Sequence, residues 1–305
     1  MNLVASEPVL IGIDWGTSSL RAFLIGSQGD VLDSVYSGKG IMHVEDRDFA
    51  EVFLQLIQPW AEPKGLPVIA SGMITSRNGW VETPYVKVPA GAKDLADALV
   101  PYETYDGVTV RFVTGLTTEH RGAPDVMRGE ETQIVGASAL GMGDGLFVMP
   151  GTHSKWIAVS DGLIEDYATF MTGEVFGALR NNTILGALMV EAPFNEAGFR
   201  QGVEAGLTSG ENLLHELFRV RTLPLFDRIS SEMVADYLSG MLIGAEIGAA
   251  KKGQSSLELV TVVGRSDLSD RYDLALDMAG FECRQAPDNI VARGHFSIAK
   301  SAGLL

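Results

Sequence analysis

The chain has 305 residues, enough for one large domain or two medium ones, each with its own core. Apolar residues make up 46% and charged residues 20%, and the net charge of −16 argues against nucleic acid and anionic membrane, both of which need basic surface. The lone cysteine, Cys283, excludes an internal disulfide and a cysteine-built zinc site, and no leader or bilayer-length apolar run is visible; a cytoplasmic protein is predicted.

In chain order, apolar runs predict three strands over about 9–14, 20–26 and 31–37, the first two joined by a Gly-Thr turn. A helix follows over 48–60, with Asp48 as N-cap and Phe49, Val52, Phe53, Leu56 and Ile57 as its apolar stripe. A buried strand at 68–70, a Gly/Pro/aromatic loop over 71–91, a short helix at 93–99 and a strand at 108–113 complete the first half. The second half opens with a helix over 130–140 and a second strand meander over 146–171. Helices are predicted at 173–190, 195–206, 211–220 and 230–250, then a strand over 257–263 ending at Gly264. A helix at 267–279, a strand at 281–286 and a terminal helix at about 288–303 follow. This pattern predicts mixed α/β layers. Without a low-complexity linker, the boundary near 120–130 is expected to be a packed hinge dividing domains 1–125 and 126–305, with the terminal helix, 288–305, free to return to the first.

One structural unit is written twice. Ile13-Asp14-Trp15-Gly16-Thr17-Ser18-Ser19-Leu20-Arg21 runs from strand through a Gly-Thr turn into strand, and about 135 residues later Val148-Met149-Pro150-Gly151-Thr152-His153-Ser154-Lys155-Trp156 does the same. Such paired hairpins suit a protein that grips a polyphosphate from both halves. Gly16 lets the backbone approach a phosphate closely, while Thr17 and Ser18 supply donors. Asp14, at a buried strand end, needs a cation or a turn to cap; it suits Mg2+, which keeps its waters and takes few carboxylates. In the second copy Met149 stands where the first has Asp14, so a metal is expected to be held from the first half, with Gly151, Thr152 and Ser154 as phosphate donors. Lys155 points either to phosphate or to solvent, and His153 reads as a turn residue because no orienting acid is adjacent in sequence.

Between the halves, Asp125-Val126-Met127-Arg128-Gly129-Glu130-Glu131 places two carboxylates at a helix start. They are either first-turn acids that complement the helix dipole or the base that accepts a substrate hydroxyl's proton during phosphoryl transfer. Arg128 is placed to neutralise an anion. A P-loop, a dinucleotide fingerprint, a Gly-x-Ser-x-Gly elbow and a His-Glu-x-x-His motif are all missing from the sequence.

With these residues in view, the chain resembles the sugar-kinase, actin and heat-shock-chaperone ATPase superfamily. Gly12-Ile13-Asp14-Trp15-Gly16-Thr17 looks like its first phosphate motif, Gly151-Thr152 like its second, and the strand ending at Gly264 like its adenosine segment. More closely it resembles the 2-dehydro-3-deoxygalactonokinase family, through Ser71-Gly72-Met73-Ile74, the 79–85 run, the 125–133 run, the 150–156 run and Phe170-Met171-Thr172-Gly173-Glu174. Val113-Thr114-Gly115-Leu116 departs from the Pro-Gly pair expected there.

The resemblance implies a two-domain actin-like (ribonuclease H-like) fold, with a duplicated mixed β-sheet, flanking helices and a central cleft. It implies an ATP- and Mg2+-dependent kinase acting on the C6 hydroxyl of 2-dehydro-3-deoxy-D-galactonate in galactonate breakdown. A kinase of another sugar or sugar acid, such as 2-dehydro-3-deoxygluconate or a hexose, and a non-catalytic sugar- or nucleotide-binding regulator are the alternatives. It points to Glu130 as base, with Glu131 and then Glu174 behind it, to Asp14 for the metal, and to Arg21 and Gly264 alongside the hairpin residues for the nucleotide. The sugar acid falls to Ser71, Gly72, Met73, Arg77, Trp80, Tyr85, Arg128 and Glu174. Arg77 and Arg128 compete for its carboxylate, and Trp80 and Tyr85 either close the pocket or pack the loop on its sheet.

Overall fold

Strand Pro8–Trp15 is apolar at almost every position because it lies inside a sheet, covered on both faces. The computed structural model describes residues 6–60, 65–251, 259–264 and 266–305. Contacts divide the chain into two units: Met1–Asp144, Ala158–Tyr167 and Pro287–Leu305 form one, Gly145–Ile157 and Ala168–Ala286 the other. The helix Glu130–Ala139 and the terminal helix Ile290–Ser301 both lie in the first unit.

In the first unit six strands lie in the order Val31–Ser37, Leu20–Gly26, Pro8–Trp15, Val68–Ser71, Thr109–Phe112, Val100–Glu103. The first three pair antiparallel, the next two add in parallel, and the last closes the sheet antiparallel. Ile11, Ile13, Leu20, Ala22, Val68, Ala70 and Phe112 bury against Phe49, Phe53 and Leu56 of the helix Phe49–Ile57. Asp48 caps that helix, its Oδ1 accepting from the Glu51 amide at 3.0 Å.

A second sheet of this unit was not predicted. Tyr85–Lys87, Gly115–His120 and Ala123–Met127 form three strands, tied to residues 158–167 by the Tyr167 hydroxyl, which donates to the Leu116 and Asp125 carbonyls at 2.7 and 2.9 Å. Its outer strands, Tyr85–Lys87 and Ala123–Met127, are short and mostly exposed, and the central Gly115–His120 buries only its first two residues, so the apolar alternation that marks a strand in sequence is missing.

The duplicated sheet takes the order Leu163–Phe170, Ser154–Ser160, Gly145–Met149, Leu259–Val262, Glu282–Gln285, which repeats the strand order of the first five strands of the other. Residues 257 and 258 of the predicted strand lie outside the described residues. Helices Glu196–Ser209 and Val234–Lys251 pack at backbone contact: a Cβ on Gly202 would stand 2.1 Å from the Tyr237 carbonyl oxygen, and one on Gly240 2.1 Å from that of Phe199. The predicted helix over 173–190 ends at Asn182, where Thr183 turns extended (φ −130°) and its hydroxyl caps the next turn through the Leu185 amide at 3.1 Å. The predicted 211–220 helix divides into Leu213–Glu216 and Arg219–Leu225. Among the described residues, no helix is long and apolar enough to cross a membrane.

Candidate active site

In the first unit, Asp14 and Ser71 are register partners at the ends of adjacent parallel strands. Gly16 N–H closes the hairpin on the Ser19 carbonyl at 2.9 Å, and the Ile41 and Met42 amides donate to the Gly16 and Thr17 carbonyls at 3.0 and 3.2 Å. Thr17 and Ser18 are left exposed at the tip. The Asp14 carboxylate, 17% exposed, accepts from the cross-strand Arg21 guanidinium at 2.8 Å.

Gly72 and Gly129 set the spacing of this site. Gly72 has φ +97°, and a Cβ there would lie 2.8 Å from the Trp15 carbonyl oxygen and 3.4 Å from Asp14 Oδ1. Gly129 has φ +106°, and its Cβ would lie 3.1 Å from Gly72 Cα. The helix of the two glutamates thus starts next to the Asp14 strand end. Its carboxylates differ. Glu131 is 1% exposed, with Oε2 accepting the Gly129 amide at 2.7 Å and Oε1 the Thr132 hydroxyl at 3.0 Å. Burial first, and then neighbouring Glu130, pushes its carboxyl up to about 8. Glu130 is half-buried, and its Oε2 accepts the Arg128 amide at 3.0 Å.

Arg128 is held entirely by neutral oxygens of the 71–91 segment. Its guanidinium donates to Thr75 Oγ1 (2.9 Å), Thr83 Oγ1 (2.7 Å), the Thr83 carbonyl (2.6 Å) and the Tyr85 hydroxyl (3.1 Å), and lies 4.1 Å from the Tyr85 ring centroid. Four hydrogen bonds fix the guanidinium in place, and among the described residues no carboxylate forms a salt bridge with it. Gly115 makes room for it: a Cβ there would fall 2.7 Å from Arg128 Cγ. Arg77 is 87% exposed and lies 3.6 Å from Glu82. Trp80 packs among Trp15, Phe53, Tyr102 and Phe112, with centroids 5.2–6.4 Å apart, pinning the segment to its sheet. Ser71 is buried with its hydroxyl on His295, and Met73 is half-buried against the same core.

In the second unit, Thr152 and His153 are exposed at the hairpin tip while Ser154 and Lys155 are buried. Gly173 packs against the hairpin, where a Cβ would meet the Gly151 carbonyl oxygen at 2.4 Å, and the Glu174 amide donates to the Thr152 carbonyl at 2.9 Å. Glu174 therefore reaches His153, Oε2 to Nε2 at 2.5 Å, supplying an acid partner that sequence adjacency did not reveal. Gly264 is exposed beside Pro150.

Glu246 was not singled out as functional. It is buried in Val234–Lys251 and accepts hydrogen bonds from Ser154 Oγ (2.7 Å), Trp156 Nε1 (2.8 Å), the Tyr272 hydroxyl (2.8 Å) and Thr172 Oγ1. Burial raises its carboxyl despite these donors. The available signal was a lone acid interrupting the apolar run 241–250.

From the Gly151 hairpin a cavity of about 300 Å³ opens between helices of this unit, lined by Gly173, Phe176, Phe194, Leu242, Leu268 and Arg271 among others. Arg271 pairs with Asp236 at 2.8 Å and lies 4.4 Å from the Phe194 ring centroid. Arg180, Glu191, Glu232 and Asp236 also line it, so charged groups share its walls with Phe176 and Phe194, whose rings offer stacking faces to a planar heteroaromatic ring. Among the described residues no group of three His, Cys, Asp or Glu side chains gathers as a metal cage. A hydrated Mg2+ needs none, since one carboxylate and the phosphates of its nucleotide suffice; Asp14, a carboxylate 17% exposed at a strand end, fits that requirement.

The sequence model of the family described as 2-keto-3-deoxy-galactonokinase matches residues 14–298. The chain is 36% identical over 294 residues to a probable 2-dehydro-3-deoxygalactonokinase of Rhizobium meliloti, covering 95% of this chain and 96% of that protein. It is 36% identical over 291 residues to the 2-dehydro-3-deoxygalactonokinase of Escherichia coli, covering 95% and 97%. A Sinorhizobium meliloti crystal structure described by the same enzyme name superposes with a TM-score of 0.88 at 35% identity, covering 96% of this chain and 98% of that one. The fold extends to actin-like ATPase proteins. Component A of an Acidaminococcus fermentans (R)-2-hydroxyglutaryl-CoA dehydratase matches with a TM-score of 0.55 at 13% identity (97% and 100% covered), and a Lactobacillus acidophilus xylulose kinase with 0.52 at 9% (97% and 90% covered). With two paired-hairpin sheets of one strand order, and a family match running from Asp14 into the terminal helix, the chain belongs to the 2-keto-3-deoxy-galactonokinase family of the actin-like ATPase fold.

Proposed function

We propose that this chain transfers the γ-phosphoryl group of ATP to the C6 hydroxyl of 2-dehydro-3-deoxy-D-galactonate, in the cytoplasm and as a step of galactonate breakdown. The observation that carries the residue assignments is the contrast between two adjacent carboxylates. Glu131 is sealed, with both oxygens taken by Gly129 and Thr132, whereas Glu130 is half-buried and follows directly on Gly129, which packs against Gly72.

Glu130 is accordingly the base. As the C6 oxygen bonds to the γ-phosphorus and the bond from that phosphorus to the β,γ-bridging oxygen breaks, ADP departs and the hydroxyl proton passes to the Glu130 carboxylate. Arg128, its guanidinium fixed in place by hydrogen bonds, receives the C1 carboxylate of the sugar acid. Tyr85 supports it; Trp80 serves packing. In the second unit Gly151 and Thr152 line the phosphate chain, Ser154 braces that hairpin through Glu246, and the cavity ending at Arg271 takes the adenine. Asp14 would hold Mg2+, which would supply neutralisation of charge on the phosphates.

The test is a coupled ADP-release assay over 2-dehydro-3-deoxygalactonate, 2-dehydro-3-deoxygluconate and hexoses, with and without Mg2+. The expected result is Mg2+-dependent turnover preferring the galactonate derivative, lowered about 100-fold or more by Glu130→Gln with little change in ATP affinity. Turnover that survives Glu130→Gln and collapses in Glu131→Gln overturns the base assignment, and inactivity with every acid overturns the reading.

A further inference from the structure

We propose that His295, on the terminal helix, is a positioning residue for phosphoryl transfer, acting through Ser71 to set the spacing between Asp14 and Glu130. The proposal rests on the kinase reading above and deepens it. His295 and Ser71 are both fully buried, 224 positions apart in sequence, and joined Nε2 to Oγ at 2.9 Å. Ser71 directly precedes Gly72, the residue lying between Asp14 and Gly129, and is the register partner of Asp14.

The imidazole also touches the other strand of the site. Its Nδ1 has no partner and faces Gly12, where a Cβ would stand 2.6 Å away. An N–H has no acceptor in that direction, so Nδ1 carries the lone pair and Nε2–H donates to Ser71 Oγ. Burial holds the ring neutral by pulling its titration down to about 3. One side chain thus sits against Gly12, two residues before Asp14, and against Ser71, one before Gly72.

The same helix seats the Glu130 helix. A Cβ on Gly136 would lie 2.0 Å from the Ile290 carbonyl oxygen, and one on Gly294 1.8 Å from that of Thr132. Glycines at both crossings bring the backbones together, so the Glu130 helix has little freedom to slide on the terminal helix. Ile290–Ser301 therefore meets all three elements that carry Asp14, Gly72 and Glu130, with His295 as its polar link to the strands. A core histidine kept only for stability predicts no selective effect on turnover. A positioning residue predicts loss of kcat with nucleotide binding intact, because sub-ångström displacement of reacting groups acts on the transition state.

The experiment compares full-length wild type with Ser71→Ala, His295→Leu, His295→Gln, the Ser71→Ala/His295→Leu double variant, and Gly202→Ala as a destabilised control in the other unit. It measures kcat, both KM values and Tm. Expected for Ser71→Ala and His295→Leu is a fall in kcat of about tenfold, part of the ~100-fold that a 1 Å misplacement can cost, with KM for ATP unchanged. The double variant falls no further than the singles, because they break one link. His295→Gln, whose amide N–H reaches the Nε2 position, recovers most of the loss. Gly202→Ala lowers Tm and leaves kcat alone. Wild-type kcat in Ser71→Ala, or multiplying single effects, overturns the inference; Ser71→Ala alone decides if His295→Leu does not fold. An inactive wild type overturns the kinase reading and this inference with it, whereas an active wild type with an unaffected Ser71→Ala overturns only the inference.

Discussion

Replacing Glu131 with glutamine is expected to stabilise the protein, and to do so only towards neutral and alkaline pH. In the unfolded chain this carboxyl titrates at its ordinary 4.5, whereas burial lifts it to about 8 in the folded state. Its folded pKa lies above its unfolded one, so its contribution is intact below 4.5 and is lost as pH rises towards 8. At pH 8 the unfolded chain has released the proton and the folded chain has released about half; integrating the difference gives roughly 4 kcal/mol lost relative to acid pH. Glutamine avoids that cost. Its carbonyl can accept the Gly129 amide, and its amide can donate to Thr132 Oγ1 once that hydroxyl, which here donates to Glu131, turns its hydrogen away. At about 2 °C per kcal/mol for a chain of this length, the Tm of Glu131→Gln is expected to exceed wild type by about 8 °C at pH 8. Scanning calorimetry of both proteins from pH 4.5 to 8.5 measures this, with the gap closing towards pH 4.5. A gap independent of pH, or one that widens in acid, refutes the reasoning and with it the picture of Glu131 as a sealed, proton-retaining cap.

Arg128→Lys keeps the charge but cannot satisfy two threonine hydroxyls, a carbonyl and Tyr85 from one rigid fork; steady-state kinetics are expected to show KM for the sugar acid rising about tenfold with KM for ATP unchanged. Equal rises in both would count against a carboxylate at this site. Gly202→Ala forces two helices apart at a carbonyl 2.1 Å from the new methyl and is expected to cost about 1–3 kcal/mol by thermal melt. Gly177→Ala, in the helix Thr172–Asn182 with nothing within 4 Å, is expected to stabilise by about 0.5–1 kcal/mol; a loss there would mean glycine content, not contact, governs these helices.

How much of this was readable in advance depended on sequence distance. The twin hairpins, the Asp48-capped helix and the Glu130 helix start are local patterns, and each was legible because its determining residues lie within a turn or a strand of one another. Arg128 and Arg77 were equal candidates, because what separates them is a cage built from Thr75 and Thr83, 53 and 45 positions away from Arg128. Ser154 follows the Gly-Thr turn as a phosphate donor would, yet its hydroxyl turns inward to Glu246, 92 positions on. The His295 link spans 224 positions and no periodicity announces it. The three-stranded sheet escaped notice for a different reason: its short strands are held by pairing and by Tyr167, and with the outer two mostly exposed they leave no apolar alternation to read.

The inequality of the two hairpins follows from how each unit disposes of a carboxylate. In the first, Asp14 lies opposite Arg21 across the antiparallel pair, so its charge is matched within the hairpin while its carboxylate stays 17% exposed. Moving both positions forward by the 135-residue offset of the repeat gives Met149 and Trp156, which are 5% and 4% exposed. An aspartate at 149 would be a buried charge without the guanidinium, a cost of several kcal/mol. The second unit brings its acid from the helix instead: Glu246 lies beneath the hairpin, and Trp156, at the place of Arg21, turns its indole N–H to it. The substitutions are coupled, Asp with Arg in one copy and Met with Trp in the other. They exchange a part-exposed acid paired across the hairpin for a sealed one tied to the hairpin through Ser154, Thr172 and Tyr272. The repeat holds two equivalent turns, and the placement of one carboxylate in each leaves the first acid paired across its hairpin and the second sealed beneath it.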